Sequence, residues 1–320
     1  MSPTVPTIDL TRWRQGDAVE HARLAAEVDS ALQRVGFLLV TGHDVPEGLR
    51  ADVRLAARAF FALPEEVKAR YAVPPGGRGW IAQGAEANAA SEGTASPPDL
   101  KESFAVGADE PVGVPEIDAE WFPPNVWPAE QPFLRPVVES YTRAMRVLAD
   151  DLLALLAAAL DLPEDTFTRS TRHPTWTFQV NWYPPMTVVG EPLPGQFRIG
   201  PHTDFGSVTI LDRQAGKGGL QVHSDEGGWE DAPFEPGAFT VNIGDLLARW
   251  TGDRWRSGRH RVLPPDPSAP QEELTSLVYF YECDHDAVVS TFPPPVGRVE
   301  YPPVVASTYL HEKYHAITVS

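Results

Sequence analysis

Three residues in this 320-residue chain have the types and spacing to hold one metal ion. His202 and Asp204 lie two apart in PHTDFGSVTIL, and on an extended chain residues i and i+2 project to the same side. An imidazole and a carboxylate can therefore face one ion. His260, in WRSGRHRVLPP, stands at the start of another apparent strand and can supply a third donor. Two histidines and one carboxylate on one face of an octahedron leave positions open, the arrangement by which non-haem iron(II) takes dioxygen and a co-substrate. The alternative is that His-x-Asp is a chance polar pair at a loop. The distant histidine in a matching strand context favours the metal.

Such a site needs a rigid frame, and the second half of the chain supplies one. After Pro163, short apolar runs separated by Gly and Pro (TFQVNWY, SVTIL, GLQV, AFTVNI, SLVYFY) mark an antiparallel sandwich or barrel. Upstream, VPTIDL predicts a first strand over 5–10. Leu24, Val28, Leu32 and Val35 recur at helical spacing within 17–35. Gly36 ends that helix, and FLLVTGHDVP follows as a buried strand running into a loop. A second helix is predicted over 47–61. Residues 72–98, rich in Gly, Ala, Ser and Pro, are expected as a long surface loop. Val137, Tyr141, Met145, Leu148, Leu152, Leu155 and Leu156 predict a long amphipathic helix over about 133–160, packed on a sheet. The expected organisation is an N-terminal region over 1–125, then the long helix and β core over 126–320, the two sharing one core.

Composition works mainly by exclusion. With 33 Pro and 25 Gly, short strands and turns are favoured over a helical bundle. A net charge of −18 repels phosphate backbones and anionic membranes, so nucleic acid is not an expected partner. Cys283 is the only cysteine, which rules out an intramolecular disulfide and a thiolate zinc site within one chain. No apolar run approaches a membrane span, and MSPTVPTIDLTRW lacks the form of a secretory signal, so a cytoplasmic location is expected. Nothing in the sequence sets an oligomeric state.

The chain also resembles a known family. VPTIDL, ALQRVGFLLVTGHDVP, FFALPEEVKARY and DLKESFAVG in the first half, and FQVNWYPP, HTDFGSVTIL, GGLQV, PGAFTVNIGDLLARWTGDRWRSGRHRV and SLVYFYECD in the second, are similar in collinear order to the isopenicillin N synthase-type iron(II)- and 2-oxoglutarate-dependent dioxygenases. The resemblance implies a double-stranded β-helix (jelly-roll) core flanked by helices, with His202, Asp204 and His260 as iron ligands. It further implies Fe(II), 2-oxoglutarate and O2 as cofactor and co-substrates. The activity implied is hydroxylation, desaturation or cyclisation of a small-molecule substrate.

The same resemblance points to Asn181 and Tyr183 in the Asn-x-Tyr strand, and to Ser276, as co-substrate residues. It also exposes a departure. Two positions before Ser276, where the family carries Arg, stands Leu274. The distal carboxylate of 2-oxoglutarate needs a cation or several donors if buried, because an unpaired buried charge is very costly. Three arrangements remain open: Arg213 in TILDRQ takes over, Arg198 does, or 2-oxoglutarate is not used. The last would make the protein an oxidase or oxidative cyclase on the same metal. A non-catalytic jelly-roll metal-binding protein is the alternative from another class.

Other residues receive structural readings. Phe205 and Phe280 flank the metal site by pattern and are expected in the substrate wall, although a place as plain core aromatics explains them equally. His43 is expected in a structural loop, and His173, His223, His285, His311 and His315 facing solvent. Asp245 is expected to fix a turn, and Lys101 and Glu102 to form structural ion pairs.

Overall fold

Apolar periodicity becomes architecture in a straightforward way. In a computed structural model, which describes residues 5–93, 96–217 and 219–317, the helices are α1 (Leu10–Gln15), α2 (Ala18–Arg34), α3 (Glu47–Phe61), α4 (Glu65–Lys68), α5 (Pro115–Trp121), α6 (Leu134–Ala159), α7 (Met186–Val189), α8 (Asp245–Trp250) and α9 (Ala306–Ile317). The strands are β1 (Thr7–Asp9), β2 (Phe37–Thr41), β3 (Trp80–Ile81), β4 (Glu102–Gly107), β5 (Pro174–Tyr183), β6 (Ile199–His202), β7 (Val208–Asp212), β8 (Leu220–Ser224), β9 (Gly228–Asp231), β10 (Phe239–Ile243), β11 (His260–Val262), β12 (Leu274–Asp284), β13 (Val288–Val289) and β14 (Val304–Val305).

The strands form an eight-stranded sheet ordered β1-β2-β10-β7-β12-β5-β4-β3, a four-stranded sheet ordered β6-β11-β8-β9, and the small β13–β14 pair. Within the two larger sheets β1 and β2 run parallel, and the other strand pairs are antiparallel. This is the mainly β, helix-flanked jelly-roll that the resemblance implies. Alternation along the strands divides the big sheet into two faces. On β5, Phe178 and Val180 join the large cluster with α2, α3 and α6, while Tyr183 joins a second cluster with Ile199, Leu220, Val222 and Val262 from the smaller sheet. The second cluster lies between the two sheets, and its side of the strands is called the inner face below.

The long helix behaves as its spacing predicts. Val137, Tyr141, Met145, Leu148, Leu152 and Leu156 are buried along one side of α6, and Tyr141 meets Phe178 of β5 at 5.1 Å between ring centroids. Asp17 caps α2 by accepting from the Val19 and Glu20 N–H groups, satisfying donors that the first turn leaves unpaired.

Three expectations need correction. The predicted first strand ends at Asp9, because the Asp9 carboxylate caps a helix that starts at Leu10. Residues 72–98 are not simply a surface loop. Trp80 and Ile81 pair with β4, and a short 3-10 helix over Asn88–Glu92 packs on β6. His285 does not face solvent: its side chain is only 14% exposed and meets Phe122 edge-on. His223 is half-buried against Trp229, His173 and His311 are exposed, and the His315 side chain lies outside the description.

Candidate metal centre and co-substrate pocket

The smaller sheet brings the two histidines together. His202 ends β6, His260 begins β11, and the two are direct cross-strand partners. Their rings are 4.2 Å apart between centroids. Each ring is fixed in the same way: Nδ1 of His202 lies 2.8 Å from the Gly200 carbonyl, and Nδ1 of His260 lies 2.9 Å from the Gly258 carbonyl. A carbonyl can only accept, so each Nδ1 carries the proton and each Nε2 presents a lone pair. Both Nε2 atoms face Asp204 Oδ1, at 3.7 Å and 4.0 Å.

Asp204 is held from the opposite sheet. Asn242 Nδ2 on β10 donates to Asp204 Oδ2 at 2.7 Å, Thr209 on β7 hydrogen-bonds its side chain, and the Asp245 N–H donates to its backbone carbonyl at 2.8 Å. Burial alone would raise the Asp204 pKa; His260, His202 and the Thr209 and Asn242 hydrogen bonds together bring it below the ordinary value. Burial, reinforced by His202, holds His260 down to about 4, so its imidazole is neutral at physiological pH. The donors of all three residues lie within 4.8 Å of one another. Two imidazoles that present Nε2 and one buried carboxylate, each oriented by a second hydrogen bond, suit a divalent ion with open positions.

The turn after Asp204 is shaped by β12. The Ser207 N–H donates to Glu282 Oε2 at 2.8 Å, and a Cβ on Gly206 would stand 1.7 Å from that oxygen, so any larger residue would have to displace the Glu282 carboxylate. Asn242, Thr209 and Glu282 were missed by sequence reasoning. They are ordinary strand residues whose partners arrive only through tertiary pairing.

A second constellation lies along the inner face. Tyr183 is buried, its phenol pushed up to about 12, and it hydrogen-bonds with Ser276 and Asn181. Asn181 and Ser276 are cross-strand partners, and Ser103 Oγ donates to Asn181 Oδ1 at 2.7 Å. Arg213 directly follows β7, whose last residue Asp212 pairs with Leu277 of β12. Arg213 Nε donates to Thr240 Oγ1 at 3.1 Å, and Nη2 donates to the Pro233 carbonyl. Burial holds its pKa down to about 10, and no carboxylate within salt-bridge reach appears among the described residues. Arg198 is fully buried, lies 5.8 Å from the Tyr183 ring centroid, and meets Glu272 at 3.2 Å. Leu274, where the family carries Arg, packs against the inter-sheet apolar cluster.

The remaining expected residues fall into place around these two groups. Phe205 is half-buried, 5.8 Å from the Lys313 ammonium on α9, and Lys313 pairs with Asp245 at 2.6 Å. Phe280 is half-buried on the inner face, opposite Thr209 and Thr177. Lys101 pairs with Glu86, and Glu102 with Lys68, as structural ion pairs. His43 accepts from the Val45 N–H and contacts the Gly237 carbonyl, a loop role.

Comparison with known proteins agrees with this geometry. Residues 5–130 match the family described as "non-haem dioxygenase in morphine synthesis N-terminal", and residues 175–282 match the 2OG-Fe(II) oxygenase superfamily. The chain belongs to the isopenicillin N synthase-like iron(II)/2-oxoglutarate oxygenases. The oxygenase is 47% identical over 298 residues to a validamycin A dioxygenase of Streptomyces hygroscopicus subsp. limoneus, covering 93% of this chain and 82% of that one. It is 32% identical over 266 residues to a 2-oxoglutarate-dependent dioxygenase of Trichoderma harzianum, covering 81% and 80%. Among solved structures, the full-length Neurospora crassa T7H in complex with alpha-KG superposes with a TM-score of 0.83 at 27% identity, over 97% of this chain and 96% of that one. The oxygenase thus uses Fe(II), 2-oxoglutarate and O2. The reading without 2-oxoglutarate falls away, as does the non-catalytic one. Leu274 then poses a narrower question, that of which residue answers the second carboxylate.

Proposed function

We propose that the oxygenase oxidises an unactivated C–H position of a polar small molecule, with His202, Asp204 and His260 as the iron ligands. The observation that carries the ligand assignment is the convergence of two Nδ1-protonated imidazoles and one buried carboxylate on a common point. When bound, Fe(II) supplies oxygen activation coupled to conversion of 2-oxoglutarate to succinate and CO2. The chain's own residues orient the ligands, leave positions open and exclude water. Validamycin A, named for the 47% identical relative, is the first substrate to assay. A polar wall supports a hydrogen-bonding substrate: Thr177 and Gln179 lie on the inner face of β5, facing away from the Phe178 and Val180 side, with Phe205 and Phe280 as the aromatic part. Among the described residues no helix is long and apolar enough to cross a membrane, which supports a cytoplasmic reading.

Within this reading Tyr183, Asn181 and Ser276 bind 2-oxoglutarate, and Arg213 answers its distal carboxylate. Arg198 already meets Glu272, whereas Arg213 bonds Thr240 on the inner face with its charge desolvated and no carboxylate against it among the described residues. Anaerobic protein with Fe(II) and 2-oxoglutarate should show the weak visible charge-transfer band of the chelate. Asp204→Ala should lose the band and most iron affinity; an iron-replete, active variant sinks the ligand assignment. Arg213→Leu should weaken 2-oxoglutarate binding with iron affinity unchanged, and should erase the preference for 2-oxoglutarate over 2-oxovalerate, which lacks the second carboxylate. A retained preference moves the anchor elsewhere.

A further inference from the structure

Arg213 belongs to two places at once. From the inner face it bonds Thr240, yet it also lines a cleft of about 390 Å³ on the other side, between α3 and the segment leading into β10. The other wall of that cleft is Arg50, Arg54 and Arg58, at i, i+4 and i+8 on one stripe of α3. Like charges at this spacing oppose helix formation, by about 0.2–0.5 kcal/mol per pair. They are only partly compensated. Asp212 pairs with Arg50 and Arg54 at 2.6 Å and 2.8 Å, and Glu273 meets Arg58 at 3.4 Å. With Glu47 at the rim, four guanidiniums meet three carboxylates. The chain as a whole carries a net charge of −18, so a net positive cleft runs against its overall charge.

We propose that this cleft is the route by which the dicarboxylate co-substrate reaches the inner face and succinate leaves it, with the Arg213 guanidinium at its inner end. The inference rests on Arg213 as the distal-carboxylate anchor. A dianion entering with its keto acid leading would leave its second carboxylate at Arg213, next to the opening. The 3-10 helix Asn88–Glu92 packs on β6, which ends in His202, and on α9, whose Lys313 stands near Phe205, and the proposal places the substrate on that side. Separate openings would let succinate depart while the oxidised product still covers the iron. A cationic mouth on an acidic protein raises the local concentration of a dianion and speeds its association, by roughly 10- to 1000-fold in strongly steered cases.

The test is anaerobic stopped-flow of the Fe(II)–2-oxoglutarate absorbance on the full chain, with iron affinity and melting temperature as controls on folding. Ala51 is exposed and lines the cleft, so Ala51→Trp should narrow it. A blocked route slows association and dissociation by the same several-fold factor and leaves the equilibrium affinity unchanged. Arg58→Glu should slow association roughly tenfold and flatten its dependence on ionic strength. Wild-type rates in both variants would overturn the route. Arg213→Leu separates the two ideas. If it leaves 2-oxoglutarate affinity intact, the anchor is wrong; if it weakens affinity while Ala51→Trp leaves the rates alone, only the route is wrong.

Discussion

At the residue scale, the metal site depends on side chains that never touch the metal. Asn242 holds Asp204 Oδ2 while Oδ1 faces the two Nε2 atoms, and Thr209 adds a second hydrogen bond to the carboxylate. Loss of such an orienting partner typically costs 10- to 100-fold in metal affinity. Asn242→Leu should therefore lower Fe(II) affinity by about that factor while the fold survives, which competition with a chelator would measure; unchanged affinity would show that Asp204 is oriented without it. The donor set itself was legible because His, Asp and His are rare at such spacing and have few other uses there. Its supports were illegible because an Asn or Thr in a strand looks like any other. Glu282 carries a second prediction. Burial, with the nearby Asp204 charge adding to it, raises its pKa from the ordinary 4.5 to about 8, against the Ser207 N–H, which lowers it. Its folded-state pKa lies above its unfolded one, so its stabilising contribution is full below about pH 4.5 and is lost as pH rises through about 8. In metal-free protein, Glu282→Gln should match the wild type near pH 5 and melt higher near pH 9, by roughly 2–4 °C per kcal/mol recovered. Equal differences at both pH values would contradict it.

At the element scale, helices were read from sequence to within a residue or two wherever one face is buried. The predicted 47–61 and 133–160 emerge as Glu47–Phe61 and Leu134–Ala159. Residues 72–98 were misread for a physical reason: what orders them is not periodicity. Asp99 holds Asn88 through Oδ2 and the Gly200 N–H through Oδ1, tying the 3-10 helix to the strand that ends in His202. Gly200 leaves room for Ala89, whose Cβ would lie 2.9 Å from an added Cβ. No local pattern announces a contact of that range. The docking of α3 is similar. Its arginines seat on the fully buried Asp212 at the end of β7, the strand whose Thr209 supports Asp204. Removing one member of a buried ion pair leaves the other uncompensated, a loss of about 3–5 kcal/mol. Asp212→Ala should lower the unfolding free energy read from a denaturant titration by that much, and a change below about 1 kcal/mol would show that solvent already screens the cluster.

At the scale of the whole molecule, the two matched family regions meet inside one sheet. β2 pairs with β10 and β4 pairs with β5, so each region supplies neighbours to the other through backbone hydrogen bonds. The large apolar cluster is likewise common: Leu24, Val28 and Phe60 from the first region share it with Phe178, Ile210 and Tyr279 from the second. Sequence reading saw a change of texture at Pro163 and correctly expected a shared core, but texture cannot show interleaving, which is a matter of strand order. The consequence for folding is specific. Separation would leave β2 and β4 as unpaired hydrophobic edges, which soluble proteins avoid, and would open the cluster to water. A fragment ending at residue 130 should therefore stay unfolded or aggregate. The full chain should unfold in one cooperative transition seen alike by far-ultraviolet circular dichroism, which follows the helices, and by tryptophan fluorescence. Fe(II) with 2-oxoglutarate should raise that single transition as a unit, because a ligand that binds only the native state stabilises everything that unfolds with its site. Two resolved transitions, of which only the later responds to the metal, would show instead that the regions fold separately and that the metal centre does not depend on the helical layer.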